Sequence, residues 1–216
     1  MLNIERFVCN MFQENTFVVS DETGECAVID CGALYDDERQ AILSYIQAND
    51  LKPVRLLCTH GHIDHYFGCM LISQAYGLKP EVALADEFLI QKMQEQTELF
   101  AMLGDYDEPF PSEIRCFNDG NVITFGNHRL EVLATPGHTP GSVFFYCREE
   151  GIAFSGDTLF QMSIGRTDFE RGSFPDIMKS LQRVATQLPD ETVVYTGHGP
   201  KTTIGFERKS NPYMRG

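Results

Sequence analysis

The chain has 216 residues and is 43% hydrophobic, which is the length of one domain (residues 1–216) and enough to bury a full core. Its formal net charge of -14 argues against nucleic acid or an anionic membrane as the main partner, so a small molecule is the expected one. No stretch approaches the ~20 apolar residues of a membrane span, and no basic-then-apolar leader opens the chain, which together predict a cytoplasmic protein. A monomer or homodimer is expected.

The first third reads as strands, then as alternating strand and helix. Thr16-Phe17-Val18-Val19 and Cys26-Ala27-Val28-Ile29-Asp30 are apolar runs separated by Asp21-Glu22-Thr23-Gly24, a hairpin turn. From Asp36 to Asn49, Ala41, Ile42, Tyr45 and Ile46 fall at helical spacing behind an acidic first turn. Val54-Arg55-Leu56-Leu57-Cys58 reads as a buried strand. A helix follows, with Phe67, Met70, Leu71, Ile72 and Ala75 on its apolar side and Gly77 as its stop.

Residues 86–113 are predicted helical, with Phe88, Leu89, Met93, Leu99, Phe100, Met102 and Leu103 in the pattern and Pro109 and Pro111 closing it. The segment is either one more packed helix or an insertion that gives a binding site an apolar wall. The second half is strand-rich: Val122–Phe125, Arg129–Leu133, Ser142–Tyr146 and Ile152–Phe154 alternate with turn residues. Ile177 to Leu188 reads as a helix and Val193-Val194-Tyr195 as the last strand. The seven cysteines are odd in number, form no C-x-x-C pair and sit mostly in apolar runs, so they are expected to be free, buried thiols.

Six histidines are present, and five fall in three short segments: Thr59-His60-Gly61-His62-Ile63-Asp64-His65, Thr135-Pro136-Gly137-His138-Thr139 and Thr196-Gly197-His198-Gly199. Asp157, in Ser155-Gly156-Asp157-Thr158, joins them. Each segment follows an apolar strand, and loops at strand ends converge at one edge of a sheet. Imidazole and carboxylate are the usual ligands of borderline and hard metals. His60 and His62 are two apart and can point one way, whereas Asp64 and His65 are adjacent and cannot share a direction. One segment can therefore feed two metals, and the seven donors suffice for two ions if Asp157 bridges them. The plainer alternatives are a helix N-cap for Asp64, a turn residue for His138, an Asx turn for Asp157 and a loop histidine for His198. His128, in Gly126-Asn127-His128-Arg129, reads as an exposed turn residue.

The motifs Thr-His-x-His-x-Asp-His, Pro-Gly-His-Thr-x-Gly-Ser, Ser-Gly-Asp-Thr and Gly-His-Gly resemble those of the metallo-β-lactamase superfamily over nearly the whole chain. Gly156-Asp157-Thr158-Leu159-Phe160 with Gly165-Arg166-Thr167-Asp168 resembles its short glyoxalase II-like branch. The resemblance implies an α/β fold, a four-layer αββα sandwich with two divalent metals at one edge, zinc first and iron or manganese as alternatives. By motif position, His60, His62 and His138 would hold one metal and Asp64, His65 and His198 the other, with Asp157 bridging. The implied reaction is attack of a metal-bridging hydroxide on a small thioester such as S-lactoylglutathione, with Asp64 and Asp157 as catalytic carboxylates. Two divalent ions, two aspartates and a hydroxide leave about one net positive charge, so an acidic chain can still accept an anionic substrate. Arg166 matches a basic residue that contacts substrate; a surface salt bridge is its plainer role. Asp168 stands where an aromatic residue is usual, and Pro200 near where a tyrosine usually follows the last histidine. A mononuclear-iron persulfide dioxygenase, a lactonase and a phosphodiesterase are the alternatives within the same superfamily. The basic tail residues Lys201, Arg208, Lys209 and Arg215 read as a solvated or internally paired face, or else as an anion-binding lip.

Overall fold

The computed structural model describes residues 1–98 and 109–215. The first sheet contains β1 (Asn3–Cys9), β2 (Glu14–Ser20), β3 (Glu25–Ile29), β4 (Lys52–Leu57), β5 (Glu81–Ala83) and β6 (Arg115–Phe117), paired in that order. The second contains β7 (Val122–Phe125), β8 (His128–Ala134), β9 (Val143–Cys147) and β10 (Ile152–Gly156). After a two-stranded ribbon of β11 (Leu159–Phe160) and β12 (Ser163–Ile164), it is completed by β13 (Val193–Thr196) and β14 (Thr202–Thr203). The helices are α1 (Asp36–Ala48), α2 (Cys69–Tyr76), α3 (Glu87–Gln91), α4 (Met93–Glu98), α5 (Phe174–Gln187) and α6 (Ile204–Ser210).

The period of two along each strand explains the layering. In β2 and β3, Phe17, Val19, Ala27 and Ile29 face the second sheet, where they meet Leu130, Val132, Phe145 and Phe154. Val18 and Val28, on the opposite face, pack under Ile42 and Ile46 of α1 and Ile72 of α2. In β9, Phe145 points between the sheets while Phe144 and Tyr146 pack outward against Leu181 and Val184 of α5. Three apolar layers thus separate helix, sheet, sheet and helix, which is the αββα sandwich of the resemblance.

Local chemistry sets the element ends. Asp21 Oδ1 accepts from Thr23 N–H at 2.9 Å and closes the expected hairpin turn. Gly77 ends α2 with φ 69°, a left-handed conformation that costs glycine no Cβ clash. α5 starts three residues earlier than its apolar pattern, because Ser173 caps it and Pro175 fits its first turn. The continuous helix expected over 86–113 is not formed: a 3-10 turn over Leu84–Asp86 leads into α3, the chain breaks at Lys92, and α4 follows. The pattern residues Leu99, Phe100, Met102 and Leu103 lie outside the described residues, and Pro109 and Pro111 sit in irregular chain before β6. The cysteines are free, but Cys116 is exposed where the sequence predicted burial, because it lies on the outward side of a three-residue edge strand. Among the described residues no helix is long and apolar enough to cross a membrane.

Candidate metal centre

Four loops leaving strand ends bring the motif residues together. The chain leaves β4, passes Thr59 and places His60 and His62 before a 3-10 turn over Ile63–His65 that carries Asp64 and His65. Asp64 lies inside that turn, whose N-cap is His62, and the next helix is capped by Gly68, so Asp64 does not occupy the cap position expected as its alternative. The ends of β8, β10 and β13 lead to His138, Asp157 and His198. His60, His62 and His138 form one group and Asp64, His65 and His198 a second, with ligand atoms in each group within 4.8 Å of one another. Asp157 lies between them: Oδ1 is 3.3 Å from His65 Nε2, and Oδ2 is 3.5 Å from Nε2 of both His138 and His198. Gly197 is required beside it, because any side chain there would occupy the space of the Asp157 carboxylate.

The hydrogen bonds assign the imidazole tautomers. His65 Nδ1 donates to Asp30 Oδ2 at 3.0 Å, His138 Nδ1 to the Arg166 carbonyl at 2.8 Å and His198 Nδ1 to the Phe12 carbonyl at 2.9 Å. His60 Nδ1 donates to Thr59 Oγ1 at 3.1 Å, whose own proton goes to Asp30 Oδ2 at 2.7 Å. With Nδ1 as the donor, Nε2 of each neutral ring keeps its lone pair. Two of those lone pairs meet, His65 Nε2 facing His198 Nε2 at 3.3 Å, while His62 turns its Nδ1 towards His138 Nε2 at 2.8 Å with no second hydrogen bond among the described residues to set its tautomer. His60 Nε2 and Asp157 Oδ1 are buried without a hydrogen-bond partner among the described residues. Facing lone pairs repel unless a cation lies between them, so this donor set fits metal ions, and its outward nitrogens have the acceptors that metal-binding imidazoles use.

The electrostatics agree. Burial drives the His60 imidazole well below its ordinary range, and burial with the nearby His138 takes His62 down to about 3, so both rings are neutral donors. Burial opposes charge on His65 too, yet Asp157, Asp64 and Asp30 outweigh it and hold its affinity for a proton well above normal. Burial would raise Asp157, but His65 and His198 hold its carboxyl well below the usual range. The site therefore combines ionised carboxylates with imidazole lone pairs and draws positive charge.

Several supporting residues carry no motif of their own. Asp30 closes the apolar run of β3, and its two oxygens accept from Thr59 N, Thr59 Oγ1 and His65 Nδ1. Asp86 is fully buried: Oδ2 accepts from Gly61 N at 2.9 Å and Thr139 Oγ1 at 2.7 Å, and Oδ1 from Gly141 N at 2.7 Å. It thereby ties the His60–His62 loop to the His138 loop. Asn10 Nδ2 donates to the carbonyls of Gly32 and Asp64, both at 2.9 Å, and fixes the loop that presents Phe12. Glu14 is fully buried 3.8 Å from His65 Nδ1, and burial pushes its carboxyl well above the usual range. The only sequence signal for Asp30 and Asp86 is an acidic residue just after an apolar strand.

Beside the donors opens a cavity of about 420 Å³. Phe12, Ile63, Leu89, Phe160 and Phe169 supply its apolar wall, with Lys92 and Arg166 also lining it. Arg166 forms a bidentate pair with Asp168 at 2.6 and 2.7 Å and stacks on Phe169 at 4.2 Å, so the cavity position and the salt bridge expected as alternatives coexist. His128 differs from its expectation. It is 8% exposed, opens β8 rather than a turn, and is hydrogen-bonded to Asp21 Oδ2 at 2.9 Å and Glu150 Oε1 at 3.0 Å. Register explains this: the tight Phe125↔His128 closing pair turns the ring inward beside Phe125.

Residues 9–198 match the model of the metallo-beta-lactamase superfamily. The chain is 36% identical to hydroxyacylglutathione hydrolase GloC of Haemophilus influenzae, over 99% of this chain and 98% of that relative. Among solved structures it is similar to BLEG-1 B3 metallo-beta-lactamase, with TM-score 0.85 and 29% identity over 99% of this chain and all of that one (100%). It is also similar to TTHA1623 in a di-iron-bound form, with TM-score 0.83 and 33% identity over 97% of this chain and 99% of that one. The chain belongs to the metallo-beta-lactamase superfamily, on its glyoxalase II-like branch. It is a metal-dependent hydrolase.

Proposed function

We propose that the protein hydrolyses a small acyl thioester at a two-metal centre, with His60, His62 and His138 holding one ion, Asp64, His65 and His198 the other, and Asp157 bridging. The observation that carries the reading is the convergence of imidazole lone pairs on Asp157 at the floor of an aromatic-walled cavity. Divalent ions bound there, zinc first and iron or manganese as alternatives, would polarise the acyl carbonyl and make water nucleophilic at neutral pH. The ionised Asp64 and Asp157 line the cavity and are assigned the orientation of the attacking water. Hydrolysis adds the water oxygen to the acyl carbon and breaks the C–S bond. The thiol pKa of about 8.5 lets sulfur leave as a thiolate, so the chain needs no general acid. GloC, a hydroxyacylglutathione hydrolase by name, supports a thioester of this kind, S-lactoylglutathione included.

The test is release of thiol from acyl thioesters by metal-loaded protein, beside chelated protein, with metal content measured and oxygen uptake followed. Metal-dependent thiol release with two ions per chain is expected. Oxygen consumption on a persulfide with one iron per chain would replace this reading by the dioxygenase one. Inactivity of fully loaded protein on every thioester would overturn it.

A further inference from the structure

The cavity wall is charged in a way that the proposed reaction does not use. Apart from the seven donors, the charged residues lining it among the described ones are Lys92, Arg166, Glu95 and Glu170. Both cations are already matched. Lys92 Nζ lies 3.1 and 2.9 Å from the two Glu170 oxygens, and Arg166 donates at 2.6 and 2.7 Å to Asp168 while stacked on Phe169. Residues 99–108 contain no Lys, Arg or His, so the segment between α4 and β6 brings no further cation. Apart from the Gln96 amide, what remains of the wall is apolar and close to both donor groups: the Phe169 ring centre is 4.9 Å from that of His62, and Phe160 is 6.0 Å from His198.

We propose that the site selects acyl thioesters whose thiol part is uncharged and apolar over esters of anionic thiols such as glutathione, and that Asp168 enforces the choice by holding Arg166. This rests on the thioester reading above. The metal centre is taken by the acyl group, so a carboxylate on the thiol part lies against the aromatic wall, where an unpaired charge is costly, or must take a cation from its present partner. An uncharged thiol chain incurs neither cost and buries its surface against Phe12, Leu89 and Phe169. The Arg166–Asp168 pair is exposed, so the expected effect of releasing it is modest, about fivefold in affinity for an anionic ligand.

Two unreactive thioethers with the same hexyl chain test this by calorimetry on the metal-loaded protein: S-hexylglutathione and S-hexyl-N-acetylcysteamine, the second uncharged. The uncharged thioether is expected to bind at least as tightly. Asp168→Asn is expected to tighten the glutathione conjugate about fivefold and to leave the other within about twofold. Tighter binding of the glutathione conjugate to the unaltered protein, binding of neither compound, or an Asp168→Asn protein that does not separate the two would overturn the proposal. If the binding pattern holds while no thioester is hydrolysed, the thioester reading fails and selection of an uncharged ligand stands.

Discussion

Strand β8 carries a histidine–carboxylate cluster at each end, and the two do different work. At its start, both ring nitrogens of His128 are taken by carboxylates, Asp21 on one side and Glu150 on the other. Burial opposes a proton on this ring, but the two hydrogen-bonded carboxylates outweigh it and raise the pKa. The proton is the cation that completes this cluster. Past its far end, His138 gives only Nδ1 to the Arg166 carbonyl and aims Nε2 at His62 and Asp157. His65 and His198 repeat that arrangement. A density of histidine and carboxylate therefore does not define a metal site. The direction of the lone pairs does, and that direction is set by what holds the other nitrogen.

The largest expected effect comes from removing the residue shared by both donor groups. Asp157→Ala should lower kcat by about a thousandfold or more and reduce the metal retained per chain, read by steady-state assay and elemental analysis. Full metal content with near-normal turnover would refute the bridging role. Next is Asp86, which touches no proposed ligand side chain but hydrogen-bonds both ligand loops. Asp86→Asn keeps the shape and turns one oxygen into a donor facing donors. Metal affinity should fall about 10–100-fold, the usual cost of disturbing the groups that support metal ligands. A metal titration followed by cobalt absorption reads this apart from any loss of fold, because a distorted donor set changes the visible spectrum.

The His128 end should behave oppositely. His128→Gln should leave metal content unchanged and cost stability, about 1.5–3 kcal/mol for a charged hydrogen-bonded group. The sign of its pH dependence follows from the raised pKa. The contribution is full below the unfolded value of about 6.5 and fades as pH rises through the folded value. For Asp21, burial opposes ionisation, but hydrogen bonds from Thr23, Asn127 and His128 outweigh it and hold the carboxyl well below normal. Its contribution is present above about 3.9 and lost as pH falls. Denaturant unfolding from pH 4 to 9 should show the largest gap between wild type and His128→Gln in the acid half of that range. A gap that widened towards alkaline pH would show that the neutral ring is the one that matters.

The strands were legible as continuous apolar runs, Phe17, Val18 and Val19 or Phe144, Phe145 and Tyr146 supplying the two buried faces that a covered sheet needs, whereas their stacking as a sandwich came from the motif resemblance. The seven donors were legible because four of them share one heptapeptide and the others follow apolar strands. Less visible was β1, since Asn3–Cys9 interleaves charge with apolar residues as an edge strand does. The breaks at Asp86 and Lys92 were hidden because the apolar spacing of α3 and α4 runs on through both. Asp86 had only its place after an apolar strand, and Asn10 had no signal, because the loops they tie down lie 22 or more positions away; Glu14 was hidden because its burial comes from the fold. His128 was misread because Gly126 and Asn127 mark a turn truthfully, while the ring's direction depends on a carboxylate 107 residues distant.

The smallest expected effect lies in the basic tail, and it separates a charge that is present from a charge that is available. Arg208 pairs with Asp190 at 2.6 Å, both about half exposed. Lys201 sits over the Tyr195 ring at 5.6 Å, and Arg215 donates to the Lys209 carbonyl. Arg208 and Arg215 thus show the internally paired contacts expected of such a tail. Arg208→Ala should change unfolding free energy by no more than about 0.5–1 kcal/mol, because an exposed pair is screened and costs side-chain entropy to hold. The Michaelis constant for an anionic substrate and its dependence on salt should stay the same. A rise of several-fold in that constant, largest at low ionic strength, would mean that Arg208 leaves Asp190 to meet substrate. Arg166 and Arg208 would then have to be treated as one anion-guiding surface, and the contrast between paired surface charge and the open lone pairs of the metal centre would no longer hold.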